Sequence, residues 1–352
     1  VDGAARVLAS ACRPALALAL AATAACSAAA PAPSPSPVAA TASASPSASR
    51  PPASPAVTLA EARSALDTFL ATDDVVRAGR AQRWTLQLYR DGQRPITIAQ
   101  FHSSGGKPPR YTWGKRTLLV PRLPAKASHQ WFAATAERRD SSGQVRTTLL
   151  TFVRQNAESA WQNSFQSLLY KDEKAPEVAL DADGYAAPLE SRDQSVAISP
   201  NLMGPLHATI AEEGKDGFAS GLIAPGPQTT GYATDIKNRR EKARQADCMN
   251  FDSLFAAAVD YPVFALRTKD GGGLILYTLL RTSTWSPVLS CGYGRPLAIP
   301  KDARWDLSNP VVRRERRIIE TQQYASAVPP RSSTAPAHVI GYDGRVTKAT
   351  TR

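Results

Sequence analysis

Between Ala15 and Cys26 the chain reads ALALALAATAAC, an apolar run with Arg6 and Arg13 before it and small residues at its end. A basic lead, a short apolar stretch and a small-residue end form the layout of a cleavable secretory signal. The run is too short to cross a bilayer, which takes roughly 20 apolar residues. It also lacks the patterned polar face of a core helix. This removes residues 1–25 from the folded body and places the remaining chain outside the cytoplasm. The next stretch, Ser27–Val57, reads SAAAPAPSPSPVAATASASPSASRPPASPAV. With almost no charge and no large apolar side chains, it cannot bury enough surface to offset the entropy of ordering. Alternating Pro and Ser make 26–57 an extended linker. A core has to be built from residue 58 onward.

The cysteines follow the same division. Cys12 and Cys26 fall in the leader, which leaves Cys248 and Cys291. An even pair in an oxidising compartment predicts a disulfide. No His accompanies either cysteine at ligand spacing, so we expect no metal site, and nothing in the chain calls for a cofactor. The formal net charge is +12, of which Arg6 and Arg13 against Asp2 supply only +1. A basic body inside a cell would suggest nucleic acid. Outside it, the available polyanions are lipid headgroups, teichoic acids and other wall polymers, so nucleic acid is not an expected partner.

Two α+β units are predicted. In the first, 58–190, Thr58 and Glu61 make a capping box for an amphipathic helix carrying Leu59, Ala62, Leu66, Phe69 and Leu70. Period-two patterning then predicts strands at Trp84–Tyr89 and Ile96–Phe101, joined by an Asp91-Gly92 turn. Further strands are expected at Tyr111–Val120, Gln130–Arg138, Val145–Arg154 and Ala160–Leu169. In the second, 195–352, a helix starts at Ser199-Pro200 with Leu202, Leu206 and Ile210 on one face. Another helix is expected over Asp235–Ala258. Strands follow at Val263–Thr268, Gly273–Ser283, Arg313–Tyr324, Ala337–Gly341 and Val346–Ala349, with Asp343-Gly344 as a turn. The halves share a weak echo, Trp131–Ala136 and Thr151-x-x-Arg154 against Tyr261–Leu266 and Thr278-x-x-Arg281, which suggests duplication.

Three features carry a family resemblance: Thr23-Ala24-Ala25-Cys26, the aromatic strand at 131–136 and the Asp270–Arg281 stretch. The first resembles a lipobox, which implies a lipid anchor at Cys26 on the outer face of the cell membrane. The whole resembles actinobacterial secreted lipoproteins of unknown function. The helix-then-curved-sheet order is similar to cystatin-like or nuclear-transport-factor-like units, whose cones hold pockets.

Catalytic signatures are sparse. His102, His129, His207 and His338 lack HxH or HxxxH spacing, and each is expected at the surface or in a hairpin. Gly271–Gly273 sit between two strands and read as a turn, not a phosphate cradle. Asp172, Glu173, Glu177, Asp181 and Asp183 could offer the paired carboxylates of a glycosidase but sit in a connector, where an exposed acidic loop is expected. The basic segments are the remaining surplus: Lys237, Arg239, Arg240, Lys242 and Arg244 in one, Arg313, Arg314, Arg316 and Arg317 in the other. Guanidinium groups grip phosphate bidentately, which makes these nine the candidate polyanion contacts. The expected function is non-enzymatic binding of an anionic wall polymer or envelope protein. A small apolar ligand in a cone-shaped pocket is the alternative, and an enzyme with a pocket acid/base a third. Oligomeric state is left open.

Overall fold

In the computed structural model, which describes residues 55–352 except 126, 128 and 293, Thr58 caps α1 (Leu59–Ala78). Its hydroxyl accepts the Glu61 N–H at 3.1 Å. The helix buries Ala62, Leu66, Phe69 and Leu70, the stripe expected from the sequence. Near its end Asp73 and Arg77 are buried as well. Arg77 donates to Asp73 at 2.7 Å and to the Tyr89 hydroxyl at 2.9 Å, and Tyr89 donates to Asp73 at 2.8 Å. Cys26, the leader and the linker up to residue 54 lie outside the described residues.

The predicted hairpin 84–101 is helical instead. A single turn, α2 (Gln82–Thr85), precedes α3 (Gln93–Ser103). Ile96, Thr97, Ala99, Gln100 and Phe101 are all buried. Alternating β-branched residues imitate a strand, but their burial follows the i, i+3, i+4 spacing of a helix.

Among the described residues eleven strands are found in chain order: β1 (Thr112–Leu119), β2 (Gln130–Arg139), β3 (Val145–Arg154), β4 (Gln162–Leu169), β5 (Met249–Ala257), β6 (Phe264–Arg267), β7 (Gly273–Pro287), β8 (Arg295–Pro296), β9 (Val311–Val312), β10 (Arg316–Val328) and β11 (His338–Thr351). Two helices, α4 (Pro200–Glu213) and α5 (Thr230–Ala246), separate β4 from β5. The expected helix 235–258 therefore ends early, at Asp247. Beyond it Met249, Phe251, Ser253 and Phe255 alternate with exposed neighbours, and alternation wins over helical propensity. Asp343-Gly344 is no turn but lies within β11, with Asp343 opposite Gln323 and Gly344 opposite Gln322.

The fold class is α+β, with a nine-stranded sheet ordered β1-β2-β3-β4-β11-β10-β7-β5 and β6 added to β7. Every named strand pairing in it is antiparallel. Between the halves 58–190 and 195–352 the ladder is short, since β4 meets β11 only through Leu169↔Gly341 and Leu168↔Tyr342, and the connector after β4 adds backbone bonds to β6, Arg267 to Ala187 and Leu189 to Ala265. Below those pairs the side chain of Gln323 in β10 takes over as a strand would. It accepts the Gln166 N–H at 2.9 Å and donates to the Ser164 carbonyl at 3.1 Å. Helix α3 packs against β11 and β4 beside this point.

Alternation along the strands feeds different cores. Phe132, Ala134, Leu150 and Phe152 pack with α1. Ile275, Tyr277, Leu279 and Tyr324 pack with Met203 and Ile210 of α4 and Tyr232 and Ile236 of α5. Their neighbours Ala133, Leu149 and Phe165 join Leu274, Leu276, Ala325 and Ile340 in a core that both halves build together. The described residues fall in one compact unit, Pro52–Arg352.

Candidate functional site

Helix α5 has one thin apolar stripe, Tyr232, Ile236 and Ala243. That stripe fixes the helix on the sheet and turns Lys237, Arg239, Arg240, Lys242 and Arg244 to solvent. Arg239 is held by Asp235 at 2.9 Å, and Arg240 pairs with Asp252 on β5. Lys237, Lys242 and Arg244 have no carboxylate partner among the described residues. Three unpaired cations within about two helical turns, roughly 11 Å, make this the most one-sided charged face of the two basic segments.

The strand register brings the second segment to the same end of the sheet. β5 starts at Met249 opposite Pro287, and Trp285 of β7 lies opposite both Phe251 and Arg316. The last turn of α5, the start of β10 and the end of β11 therefore converge there. Arg313 and Arg314 are exposed, and their backbone N–H groups bond to the Arg352 carbonyl. Arg317 is paired with Glu315 at 3.1 Å. Arg316 does not belong among the contacts, because it is buried, with 1% exposure. Its guanidinium donates to the carbonyls of Leu297, Ala298 and Pro310 at 2.9–3.0 Å. Alternation along β10 turns it inward, where it ties the 295–312 segment to the sheet.

Cys248 and Cys291 are disulfide-bonded with their Cα atoms 6.3 Å apart. Cys248 follows the Asp247 cap of α5 at φ 55°, the left-handed position that ends helices and that glycine usually occupies. The bridge ties this helix end to the segment after β7.

Three of the four histidines, and Glu173, Glu177, Asp181 and Asp183 among the acids, have partners within the fold. His207, expected at the surface, is fully buried, because α4 turns Met203, His207 and Ile210 inward and leaves Leu202 exposed. Its Nε2 donates to the Gln228 carbonyl at 2.6 Å, so Nδ1 accepts the Tyr277 hydroxyl at 2.7 Å. Burial holds its pKa down at about 4. His338 pairs with Glu173 at 3.0 Å, and His102 stacks on Trp305. Asp181 and Asp183 are clasped by Arg122, which takes the Asp181 carboxyl down to about 2, and Glu177 is paired with Lys269. Arg122 thus takes up both Asp181 and Asp183, while Glu173 and Glu177 go to His338 and Lys269.

The Thr-x-x-Arg echo has a three-dimensional counterpart that spacing alone did not reveal. Arg154 is buried over the Trp161 ring at 4.5 Å and pairs with Glu61 of α1. Arg281 is buried over the Tyr232 ring at 5.0 Å and pairs with Asp235 of α5 at 3.0 Å. Each ties the helix of its half to the sheet. Open clefts lie beside these helices. One of 640 Å³ separates the end of α4 from the start of α5, and one of 480 Å³ runs along α1 past Phe69, Leu88 and Trp161.

The family profile of the Domain of unknown function (DUF8094) matches residues 53–351. The chain is similar to an uncharacterized lipoprotein of Streptomyces avermitilis, 32% identical over 169 residues, 47% of each chain. The match thus spans about half the length of that relative. Two uncharacterized lipoproteins of Streptomyces coelicolor are also similar. One is 26% identical over 313 residues, covering 84% of this chain and 82% of its own. The other is 27% identical over 236 residues, covering 64% and 67%. No solved structure matches. Among the described residues no helix is long and apolar enough to cross a membrane. An extracytoplasmic lipoprotein of unknown activity fits both these relatives and the leader.

Proposed function

The chain belongs to the family of the Domain of unknown function (DUF8094), and we propose that it is a lipid-anchored envelope protein that binds an anionic wall polymer without catalysis. The anchor is Cys26, on the outer face of the membrane, and the linker holds the body away from the lipid. The observation that carries the binding reading is the set Lys237, Lys242 and Arg244, exposed on α5 with no carboxylate partner among the described residues. Arg313 and Arg314 extend it at the same end of the sheet. A polymer with regularly spaced phosphates would engage several of these cations at once, and its affinity would fall with salt because exposed charges are screened over about 10 Å at 0.1 M. The test is retention of the protein on immobilised teichoic acid. The triple variant Lys237→Glu, Lys242→Glu, Arg244→Glu is expected to bind at least tenfold more weakly at low salt. Unchanged retention would remove the site. For the anchor, Cys26→Ala is expected to release the protein from membranes into the medium.

A second reading places a small apolar ligand in the α1 cleft. Phe69, Leu88 and Trp161 supply an apolar wall there, and the Glu61–Arg154 pair supplies a polar end. Saturable binding of a fatty acid followed by calorimetry, lost in Thr68→Trp, would support it.

A further inference from the structure

Where β10 starts and β11 ends, the two strands face each other in three consecutive rows. Arg317 lies opposite Thr350, and Ile319 opposite Lys348. One row further out, Glu315 and Arg352 exchange backbone hydrogen bonds at 2.7 and 3.0 Å. Opposite residues in an antiparallel ladder share a face, as do residues two apart along a strand, so all six side chains stand on one face. The intervening Arg316 and Ile318 are buried on the other. Through Trp285 that second face is also the one of Phe251, which packs in the core beneath α5.

These six residues line a cavity of about 120 Å³. Its charge is one-sided: Arg317, Lys348 and Arg352 are three cations, and Glu315 is the acid among them. Arg317 is the diagonal neighbour of both Lys348 and Arg352, a spacing of about 7–8 Å that long side chains bridge. Glu315 pairs with Arg317 at 3.1 Å, whereas Lys348 and Arg352 have no carboxylate partner among the described residues. The backbone under this group is held firmly. The N–H groups of Arg313, Arg314 and Glu315 converge on the Arg352 carbonyl at 2.6–3.2 Å, so the cations are positioned before any ligand arrives.

We propose that this cavity is a site for one dianionic phosphate group, free or as the monoester end of a small molecule. Three cations against one acid leave a balance of +2. A phosphate monoester carries about −1.5 to −2 at neutral pH, which matches that balance better than the single charge of chloride, a carboxylate or a phosphodiester. The chemistry of the lining agrees. Guanidinium groups grip phosphate oxygens in pairs, an ammonium adds a point charge, and Thr350 offers a hydroxyl. The cavity is well below the roughly 300–1,000 Å³ of pockets that enclose a drug-sized ligand, so it takes the phosphate group and leaves the rest of a monoester outside. The site lies across the sheet from α5, and it stands or falls independently of the polymer reading.

The test is titration calorimetry of the full protein with inorganic phosphate and with glycerol 3-phosphate, at constant ionic strength and about pH 7.5, where both are mostly dianionic. Each is expected to bind saturably. Lys348→Met is expected to weaken both by about tenfold or more, the effect of losing one charge-assisted contact. Glu315→Gln keeps the three cations and removes the competing carboxylate, so it is expected to tighten binding several-fold. Dimethyl phosphate, a diester with a single charge, is expected to bind about tenfold more weakly than glycerol 3-phosphate or not at all. The variant Lys237→Glu, Lys242→Glu, Arg244→Glu removes more positive charge than Lys348→Met, but from the other face, and is expected to bind phosphate as the wild type does. No saturable binding by the wild type, unchanged affinity in Lys348→Met, or weaker binding in Glu315→Gln would overturn the site. So would equal binding of the diester, or a loss in the α5 variant as large as that in Lys348→Met.

Discussion

His207 shows how one side chain can record the acid tolerance of a fold. Its two ring nitrogens are both occupied, by the Gln228 carbonyl and the Tyr277 hydroxyl, and burial lowers its pKa from 6.5 to about 4. The folded protein therefore refuses a proton that the unfolded chain accepts. The contribution is complete above pH 6.5, declines as the pH falls from 6.5 toward 4, and levels off below that. Over this window the loss amounts to roughly 3 kcal/mol. Urea midpoints at about pH 7.5 and pH 4.5, on either side of the ordinary histidine pKa, check this. His207→Gln is expected to start less stable at the higher pH and to lose less between the two. Equal losses in the two proteins would assign the acid sensitivity to other groups. This histidine was not legible in the sequence, because Leu202, Leu206 and Ile210 mark an apolar stripe beside it. The helix is seated one residue round from that stripe because Gly204 lies against the sheet, where an added Cβ would sit 3.2 Å from Ala257.

Among the elements, α1 and α5 are each bound to the sheet by one buried arginine from the strand beneath. Arg154 also donates to Gln130 at 2.6 Å, and Arg281 to Ser253 at 2.8 Å. Removing one partner of a buried, hydrogen-bonded ion pair costs about 3–5 kcal/mol when the other charge is left dry. Here Glu61 and Asp235 are each about one-third exposed, so water can recover part of that. We expect Arg154→Met and Arg281→Met each to lower stability by about 2–3 kcal/mol, measured by urea unfolding near neutral pH. A loss below about 1 kcal/mol, the range of exposed pairs, would mean that packing, not the ion pair, seats the helix. Elements of this kind were partly readable. The Thr58 cap, the β2–β3 and β6–β7 hairpins and the class of fold follow from local signals. α3 did not, because IleThrIle alternation imitates a strand until the wedge between β4 and β11 supplies a place for a helix. β5 was hidden in the same way, since the helical pattern of α5 runs on past Cys248.

For the whole molecule the question is whether the halves 58–190 and 195–352 unfold separately. The ladder between them argues for weakness, since β4 and β11 share two residue pairs. Side chains argue the other way. Leu149, Val153 and Phe165 lie in one buried cluster with Leu274, Leu276 and Ile340, and Gln323 completes the hydrogen bonding of β4 from the far half. Burying apolar area is worth about 25 cal/mol per Å², so a shared core of whole Leu, Ile and Phe side chains outweighs the ladder bonds that β4 and β11 do not make, at about 1 kcal/mol each. The protein is therefore expected to unfold in one transition, with tryptophan fluorescence and far-UV circular dichroism coincident in urea. The disulfide provides an independent lever, because it lies entirely in the second half and spans 43 residues. In the chain-entropy description its loss costs about 4 kcal/mol. If the two halves are coupled, the double variant Cys248→Ser, Cys291→Ser shifts the signal of Trp131 and Trp161 in the first half as far as that of the second. A variant that moves only the second-half signal would restore two separate folding units, with the seam as a hinge between them.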